Sequence, residues 1–208
     1  MVSLQKKHPL AIRWNHWINF PVLTIMVWSG FLIYWANDAY FIPGRWLEAI
    51  GMNARLGQGM SWHFPFAFIF TVNGLLYAAF LFISGQWRYM FPDRRSLREA
   101  VIVVLHDLHL HKGDLPKQLK YNGAQRFAYT GILFLGFAAL LTGLAIYKPV
   151  QLSWLTYALG GYEAARLEHF LVTCAFLAFF FVHIAQVVKA GWNAFRAMIT
   201  GLEKTDVE

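Results

Sequence analysis

The sequence predicts an all-α integral membrane protein, a four-transmembrane-helix bundle with an interfacial amphipathic helix between helices two and three. Of its 208 residues, 58% are hydrophobic and only 14% are charged, whereas soluble domains carry about 25% charged residues. The apolar residues form four blocks, and each block reaches the roughly 20 residues that a spanning helix needs. We expect a single membrane domain over residues 1–208, with spanning helices at about 14–36, 61–88, 124–147 and 164–191.

The first two helices carry local signals that support this assignment. Trp14 and Trp17 lie at one edge of the first helix, and Tyr34 and Trp35 lie at the other, as in the aromatic belts of membrane proteins. The first block is too long for a cleavable signal peptide, and no small-residue cleavage pattern follows it. Pro65 falls in the first turn of the second helix, where proline is tolerated.

Lysine and arginine are unevenly distributed between the two sides. Fourteen of them lie in the N-terminal segment, the connection 86–126 and the C-terminal tail, against four in the two other connections. Cytoplasmic loops are enriched in these residues, so we expect both termini on the cytoplasmic side of a bacterial inner membrane. The net charge of +7 therefore reflects membrane topology and not nucleic-acid binding.

Helix four carries the most informative pair of residues, His169 and His183, which are fourteen positions apart. This interval is almost four whole turns, so both side chains project from nearly the same face, roughly 21 Å apart along the axis. Polar side chains inside a membrane segment are costly and mark function by default. Two stacked haems, one per leaflet, would explain both histidines.

Two further histidines match these in depth. His16 is at the cytoplasmic start of helix one and pairs with His183 around an inner haem, while His63 is at the outer start of helix two and pairs with His169 around an outer haem. Bis-histidine ligation fills both axial positions and suits electron transfer. Any single histidine could instead hydrogen-bond across helices. A lone cysteine, Cys174, excludes a Cys-x-x-Cys-His attachment, so both haems b are expected to be non-covalent.

The positions of further residues suggest roles beside the haems. Arg13 and Arg126 lie at the inner interface and are candidates for pairing with haem propionates, although the positive-inside bias alone would place them there. Five glycines on helices one to three would let a macrocycle approach the backbone or would simply permit close helix packing: Gly30, Gly74, Gly131, Gly136 and Gly143.

The amphipathic section 94–110 is expected to lie in the inner interface, with its arginines away from its apolar face. It ends in His106, Asp107 and His109. These three residues have two interpretations: a solvated helix end facing lipid headgroups, or part of a quinone pocket near the inner haem, where they would handle protons.

Two motifs point to a family. The Arg13-Trp-Asn-His16-Trp17 segment resembles the Arg-x-x-His-Trp signature of bacterial di-haem b-type cytochromes, a family that includes cytochrome b561 and the cytochrome b subunits of nickel-iron hydrogenase, formate dehydrogenase and thiosulfate reductase. The Lys120-Tyr-Asn-x-x-Gln125-Arg126 segment resembles the helix-three entry of the dehydrogenase-type members. The resemblance covers about residues 8–200 and implies His16, His63, His169 and His183 as the haem ligands.

The resemblance also implies exchange of electrons between membrane quinone and a periplasmic redox partner, as in a respiratory chain. The segments 143–149 and 159–163 resemble versions associated with molybdopterin oxidoreductases. We therefore expect an electron-transfer subunit of an oxidoreductase complex, with its stand-alone enzymatic activity and its oligomeric state left open. The outer connections, 37–60 and 148–163, are the expected docking surface and carry aromatic residues at plausible anchor positions: Tyr40, Phe41, Trp46, Trp154 and Tyr157.

Two other functions stay open at this point. One is a free-standing quinone-reducing cytochrome b561 that acts on superoxide or another small donor and needs no partner. The other is a non-redox membrane anchor or transporter, in which the histidines serve packing or proton relay. A haem absorption spectrum distinguishes the anchor or transporter from the two haem-binding functions.

Overall fold

The computed structural model describes residues 2–36, 44–49, 55–110, 112–113 and 121–206. Within these ranges the chain forms, in order, β1 (Val2–Lys6), α1 (Leu10–Tyr34), α2 (Gly44–Ala49), α3 (Leu56–Ile83), α4 (Trp87–Met90), α5 (Arg94–Asp107), α6 (Gly123–Tyr147), α7 (Ser153–Ala158), α8 (Tyr162–Thr200) and β2 (Leu202–Asp206).

Four of the described helices are long and apolar enough to cross a membrane: α1, α3, α6 and α8. Most of their residues are not buried within the chain, as expected where lipid covers the apolar surface. The prediction of an all-α membrane protein with four spanning helices is therefore confirmed. A helix, α5, also occupies the predicted amphipathic section, while its position in the membrane interface stays a prediction.

The helices differ from the predicted ranges mainly at their ends. Both α1 and α3 begin four to five residues earlier than expected, and α3 ends five residues earlier, at Ile83. Pro65 therefore lies inside α3 and not in its first turn as predicted. The long α8 contains a non-helical residue, Gly191 (φ 79°, ψ 178°), at the position where the fourth helix was expected to end. The residues after this break return to helix up to Thr200.

The chain divides into two compact units, residues 1–78 with 190–208, and residues 79–189. In the first unit, the two ends of the chain meet in a small sheet that the sequence did not predict. Strand β1 pairs antiparallel with β2, with Ser3 opposite Thr205 and Lys6 opposite Leu202. The Ser3 and Thr205 hydroxyls lie 2.8 Å apart, and Gly201 (φ 84°) provides the turn from α8 into β2.

Buried carboxamides join α1 to α3 in this unit. The Nδ2 of Asn15 donates to the backbone carbonyl of Asn73 over 3.0 Å, and the Nδ2 of Asn73 donates to the side chain of Asn19 over 2.9 Å and to the backbone carbonyl of Asn15 over 3.2 Å. Asn15 and Asn73 are both buried. Because each unpaired amide would be costly in an apolar medium, this carboxamide clamp fixes the register of α1 against α3.

In the second unit, α5 packs closely on α6. A methyl group on Gly123 would lie 2.3 Å from the carbonyl oxygen of Ser96, so only glycine allows this approach. Both helices begin with a capping box, formed by Asp93 with Ser96 and by Asn122 with Gln125. These contacts place the start of α5 beside the start of α6.

The short helix α7 is held by a small core in the same unit. Ala145, Leu155 and Ala165 form this buried cluster, and the hydroxyl of Thr156 donates to the carbonyl of Ala145 over 3.1 Å. The second connection is thus a fixed element and not an open loop.

Candidate functional site

His63 on α3 is held by a hydroxyl of α1. Its ring Nδ1 lies 3.0 Å from Oγ of Ser29, and Ser29 is fully buried. The Ser29 hydroxyl donates its hydrogen to the carbonyl of Ile25 over 2.6 Å. Since a hydroxyl has only one hydrogen, the Ser29 oxygen accepts at the other contact, and Nδ1 of His63 is the donor.

His169 on α8 has the same arrangement with a hydroxyl of α6. Its ring Nδ1 lies 2.8 Å from Oγ1 of Thr142, a buried residue. The Thr142 hydroxyl donates to the carbonyl of Ala138 over 2.7 Å. By the same count of hydrogens, Nδ1 of His169 donates to the threonine oxygen.

These two hydrogen bonds test whether the site suits a haem. A neutral imidazole that carries its hydrogen on Nδ1 has its lone pair on Nε2, and that lone pair is what a histidine ligand gives to iron. Metal-ligating histidines usually donate their second ring N–H to a neighbouring acceptor. The hydrogen-bond geometry of both histidines therefore fits the tautomer that axial ligation through Nε2 requires.

The two other predicted ligands lie against aromatic rings. His16 on α1 meets the adjacent Trp17 edge-on, with ring centroids 5.0 Å apart, and it follows Asn15 of the carboxamide clamp. His183 on α8 lies parallel to Phe179, with centroids 6.0 Å apart and an interplanar angle of 4°. His16 and His63 belong to the first unit, and His169 and His183 to the second. The depth pairing of one unit's histidines with the other's stays a prediction.

Arg13 and Arg126 have protein partners in the structure. The guanidinium of Arg13 donates to the carbonyl of Ile199 near the end of α8. Arg126 forms an ion pair with Asp93, at 3.0 Å, and also donates to the carbonyl of Phe91. Both arginines thus tie helix ends together, and their predicted contacts with haem propionates stay predictions that must coexist with these bonds.

The Asp93 carboxylate at this junction is strongly stabilised. Hydrogen bonds from the side chain and the backbone N–H of Ser96, followed by the ion pair with Arg126, lower the pKa of Asp93 to about 2. The carboxylate is therefore charged under all ordinary conditions, and it both caps α5 and binds the first turn of α6.

The three residues predicted for quinone lie at the end of α5. The Asp107 carboxylate accepts a hydrogen bond from Nε2 of Gln186 over 2.9 Å and forms an ion pair with Lys189. Burial acts to raise the pKa of Asp107, but these two bonds and the positive charges nearby outweigh it, so the pKa is lowered. His109 has a left-handed backbone, with φ 60°, and ends the helix. The contact with Gln186 places Asp107 one turn beyond His183 along α8.

The aromatic residues expected to dock a partner are exposed where the structure describes them. Trp46 on α2 and Trp154 and Tyr157 on α7 all expose most of their surface, and Tyr157 is 86% exposed. Tyr40 and Phe41 lie outside the described residues. Because Leu155 and Thr156 of α7 are buried, this helix presents its two aromatic side chains from a fixed base.

Sequence reasoning missed several of these residues. It did not identify Ser29 or Thr142 as partners of histidines, nor the carboxamide clamp. Hydroxyl and carboxamide side chains within apolar spans were the available signal, because polar groups at such depth need partners. The sequence could not say which groups would meet.

Comparison with known proteins identifies the family of this chain. The family model for prokaryotic cytochrome b561 matches residues 7–201. The chain is also 38% identical over 185 residues to a putative protein-methionine-sulfoxide reductase subunit, YedZ1, of Azospira oryzae, a match that covers 86% of this chain and 89% of the relative. The chain therefore belongs to the prokaryotic cytochrome b561 family, whose members are haem-binding electron-transfer proteins of the membrane.

Proposed function

We propose that this chain binds two haems b and carries electrons across the bacterial inner membrane between the quinone pool and a periplasmic redox partner. In this proposal His63 and His169 ligate the outer haem, and His16 and His183 ligate the inner one. The observation that carries it is the matching hydrogen bond at His63 and at His169, in which Nδ1 of each ring meets a buried hydroxyl of another helix. A bound haem supplies the one-electron couple of its iron.

The protein's own part is ligation, insulation and placement. Two histidines per iron leave no axial position for oxygen or another small molecule. Such a haem is suited to electron transfer and does not readily react with small molecules. Neutral imidazoles bring no charge into the membrane. The Asn15–Asn73 contact holds α1 against α3, so the first-unit ligands keep a fixed spacing.

Quinone is proposed to bind beside the end of α5, near the inner haem. The bond between Asp107 and Gln186 supports this placement, since it fastens α5 one turn from His183. The lowered pKa of Asp107 keeps this carboxylate ionised at neutral pH. We assign Asp107 to holding Lys189 in place, and His106 and His109 to exchanging protons with the quinone.

Quinol-driven reduction in lipid vesicles tests this placement. Replacing His106 and His109 together with glutamine should slow haem reduction by a soluble quinol while leaving reduction by dithionite complete. Arg95→Gln, which removes an exposed ion pair with Glu99 on the same helix, is the matched control and should leave the rate unchanged. An unchanged rate in the double histidine variant would exclude this site.

The partner is proposed to be a periplasmic oxidoreductase of the molybdopterin class that docks on the outer connections. The relative named as a putative protein-methionine-sulfoxide reductase subunit supports a role as one subunit of such an enzyme, with sulfoxide reduction as the terminal reaction. Aromatic side chains dominate interface hot spots, and Trp154 and Tyr157 stand on a helix whose opposite side is buried.

Transfer to the native partner tests the docking surface and the function together. The wild-type chain should pass electrons from quinol to the partner, and the partner should stay oxidised without it. Replacing Trp46 and Trp154 with alanine should slow this transfer at least several-fold, while haem content and quinol-driven reduction persist. Transfer at the wild-type rate would show that these aromatics belong to an interfacial belt.

A further inference from the structure

The helix segments that contact His63 and His169 share a second feature besides the hydroxyl: a glycine that follows it. We call each a hydroxyl–glycine seat: Ser29 with Gly30 on α1, and Thr142 with Gly143 on α6. In both seats the glycine directly follows the hydroxyl residue, and both glycines face the histidine of another helix.

The glycines are placed at the ring itself. A methyl group on Gly30 would lie 3.4 Å from Cε1 of His63, and one on Gly143 would lie 3.3 Å from Cε1 of His169. Close helix packing alone does not account for this, because the nearest atoms belong to the histidine side chains. A side chain on Gly143 would force the His169 ring to shift by a few tenths of an ångström, whereas one on Gly30 would just touch the His63 ring.

The seats also occupy equivalent places along their helices. Ser29 precedes Tyr34, the last residue of α1, by five positions, and Thr142 precedes Tyr147, the last residue of α6, by five. The histidines are matched in the same way, since each is the eighth residue of its helix, α3 or α8. Each unit thus contains the same hydroxyl–glycine–histidine arrangement, built from unlike sequences.

We propose that Ser29 and Thr142 are positioning residues that set the reduction potential of the haem bound by His63 and His169. The inference rests on the proposed ligation by these two histidines. A hydroxyl that accepts from Nδ1–H makes the imidazole a better electron donor to iron. A better donor stabilises the oxidised iron over the reduced iron, so both seats lower the potential and hold the ring for ligation through Nε2.

The seats are tested by removing each hydroxyl alone. Ser29→Ala and Thr142→Val should each raise the midpoint potential of the haem bound by His63 and His169 and leave the potential of the other haem unchanged. Each variant should also weaken retention of the affected haem by about 10–100-fold. Ser29→Thr and Thr142→Ser keep an acceptor and should restore both properties. Potentiometric titration of the haem absorption bands measures the potentials, and pigment extraction measures haem content.

Thr24→Ala is the matched control on α1. The Thr24 hydroxyl donates to the carbonyl of Phe20, four residues back, over 2.8 Å, as that of Ser29 does to Ile25. Thr24 lies on an exposed part of the helix, so its variant should keep wild-type potentials. A shift as large as that of Ser29→Ala would overturn the assignment, since it would come from the helix and not from the seat.

The remaining outcomes are distinguishable. Full haem content with unmoved potentials in both hydroxyl-free variants would overturn the seat inference while leaving the proposed function intact. Wild-type protein without reducible haem would overturn both. If one variant fails to fold, the other decides, because each seat lies within its own unit. Loss of haem that the conservative variant does not restore would also contradict a positioning role.

Discussion

The four histidines fall into two kinds of environment. His63 and His169 donate to buried hydroxyls on another helix and face a glycine, whereas His16 and His183 lie against aromatic rings of their own helices. The first environment favours the hydrogen on Nδ1, and the second places an aromatic ring beside the imidazole. Under the proposed ligation each haem would have two histidines from the same environment, and the surroundings of a haem are what set its reduction potential.

Replacing single histidines gives the largest expected effect. His63→Ala and His169→Ala should each abolish the same haem, and His16→Ala and His183→Ala should each abolish the other, because a ligand is lost outright. Haem-to-protein ratios near one are expected in all four variants. If His63→Ala kept both haems, or if His63→Ala and His16→Ala removed the same one, the pairing by depth would be wrong.

The carboxamide clamp offers a way to disturb one seat and spare the other. Asn73→Leu should lower the free energy of unfolding by about 1–3 kcal/mol, because the backbone carbonyl of Asn15 and the Oδ1 of Asn19 would lose the Nδ2 of Asn73 as their donor. It should also disturb the haem of the His63 seat while the Thr142–His169 contact is preserved. Thermal unfolding in detergent measures the stability.

Thr71→Val is the control on the same helix, since the Thr71 hydroxyl only donates to the carbonyl of Ala67. It should change stability by much less than Asn73→Leu does. Equal losses in the two variants would mean that the clamp has no special role in holding α1 against α3.

Adding a methyl group to a seat should have a smaller effect. Gly143→Ala should shift the haem potential in the same direction as Thr142→Val but by less, because the ring of His169 must move by only a few tenths of an ångström. Gly30→Ala should shift it less again, at its wider 3.4 Å approach. Gly131→Ala, which meets nothing within 4 Å, is the control, and a comparable shift there would argue against the seats.

The smallest effect concerns the junction of α5 with α6, away from both seats. The pKa of Asp93 at this junction is lowered from the ordinary value of 3.8 to about 2. The Asp93 carboxylate therefore contributes stability that is present above about pH 4 and is lost as the pH falls towards 2. Stability should therefore decline over that interval, and Asp93→Asn should flatten the decline. Unfolding measured at several pH values checks this, and an unchanged profile in Asp93→Asn would contradict it.

The amino-acid sequence was sufficient for the features that depend on local pattern. The four spans follow from the length of the apolar segments. The helix α5 follows from its amphipathic periodicity, and Asp93 caps its first turn in a capping box. The interval between His169 and His183 within one helix needs only helical geometry. The expected end of helix four coincides with Gly191, where the backbone leaves the helical region.

The features that depend on tertiary register could not be predicted. Ser29 meets His63, and Thr142 meets His169, only because two helices pack at one of several possible offsets. The β1–β2 sheet pairs residues about 200 positions apart, and short strands of that kind have little periodic signal. Gly30 and Gly143 are predicted to give space to a macrocycle or to a neighbouring helix, and the structure adds that each also faces the ring of a histidine, His63 or His169.

The central claim is that two haems b with different surroundings are held by these four histidines. Potentiometric titration of the purified wild-type chain, with haem quantified against protein, tests it most directly. The account predicts two haems per chain and a titration that resolves into two components of similar amplitude. In His169→Ala only the component that Thr142→Val shifts should disappear. A single haem per chain, or loss of the other component in His169→Ala, would contradict the account.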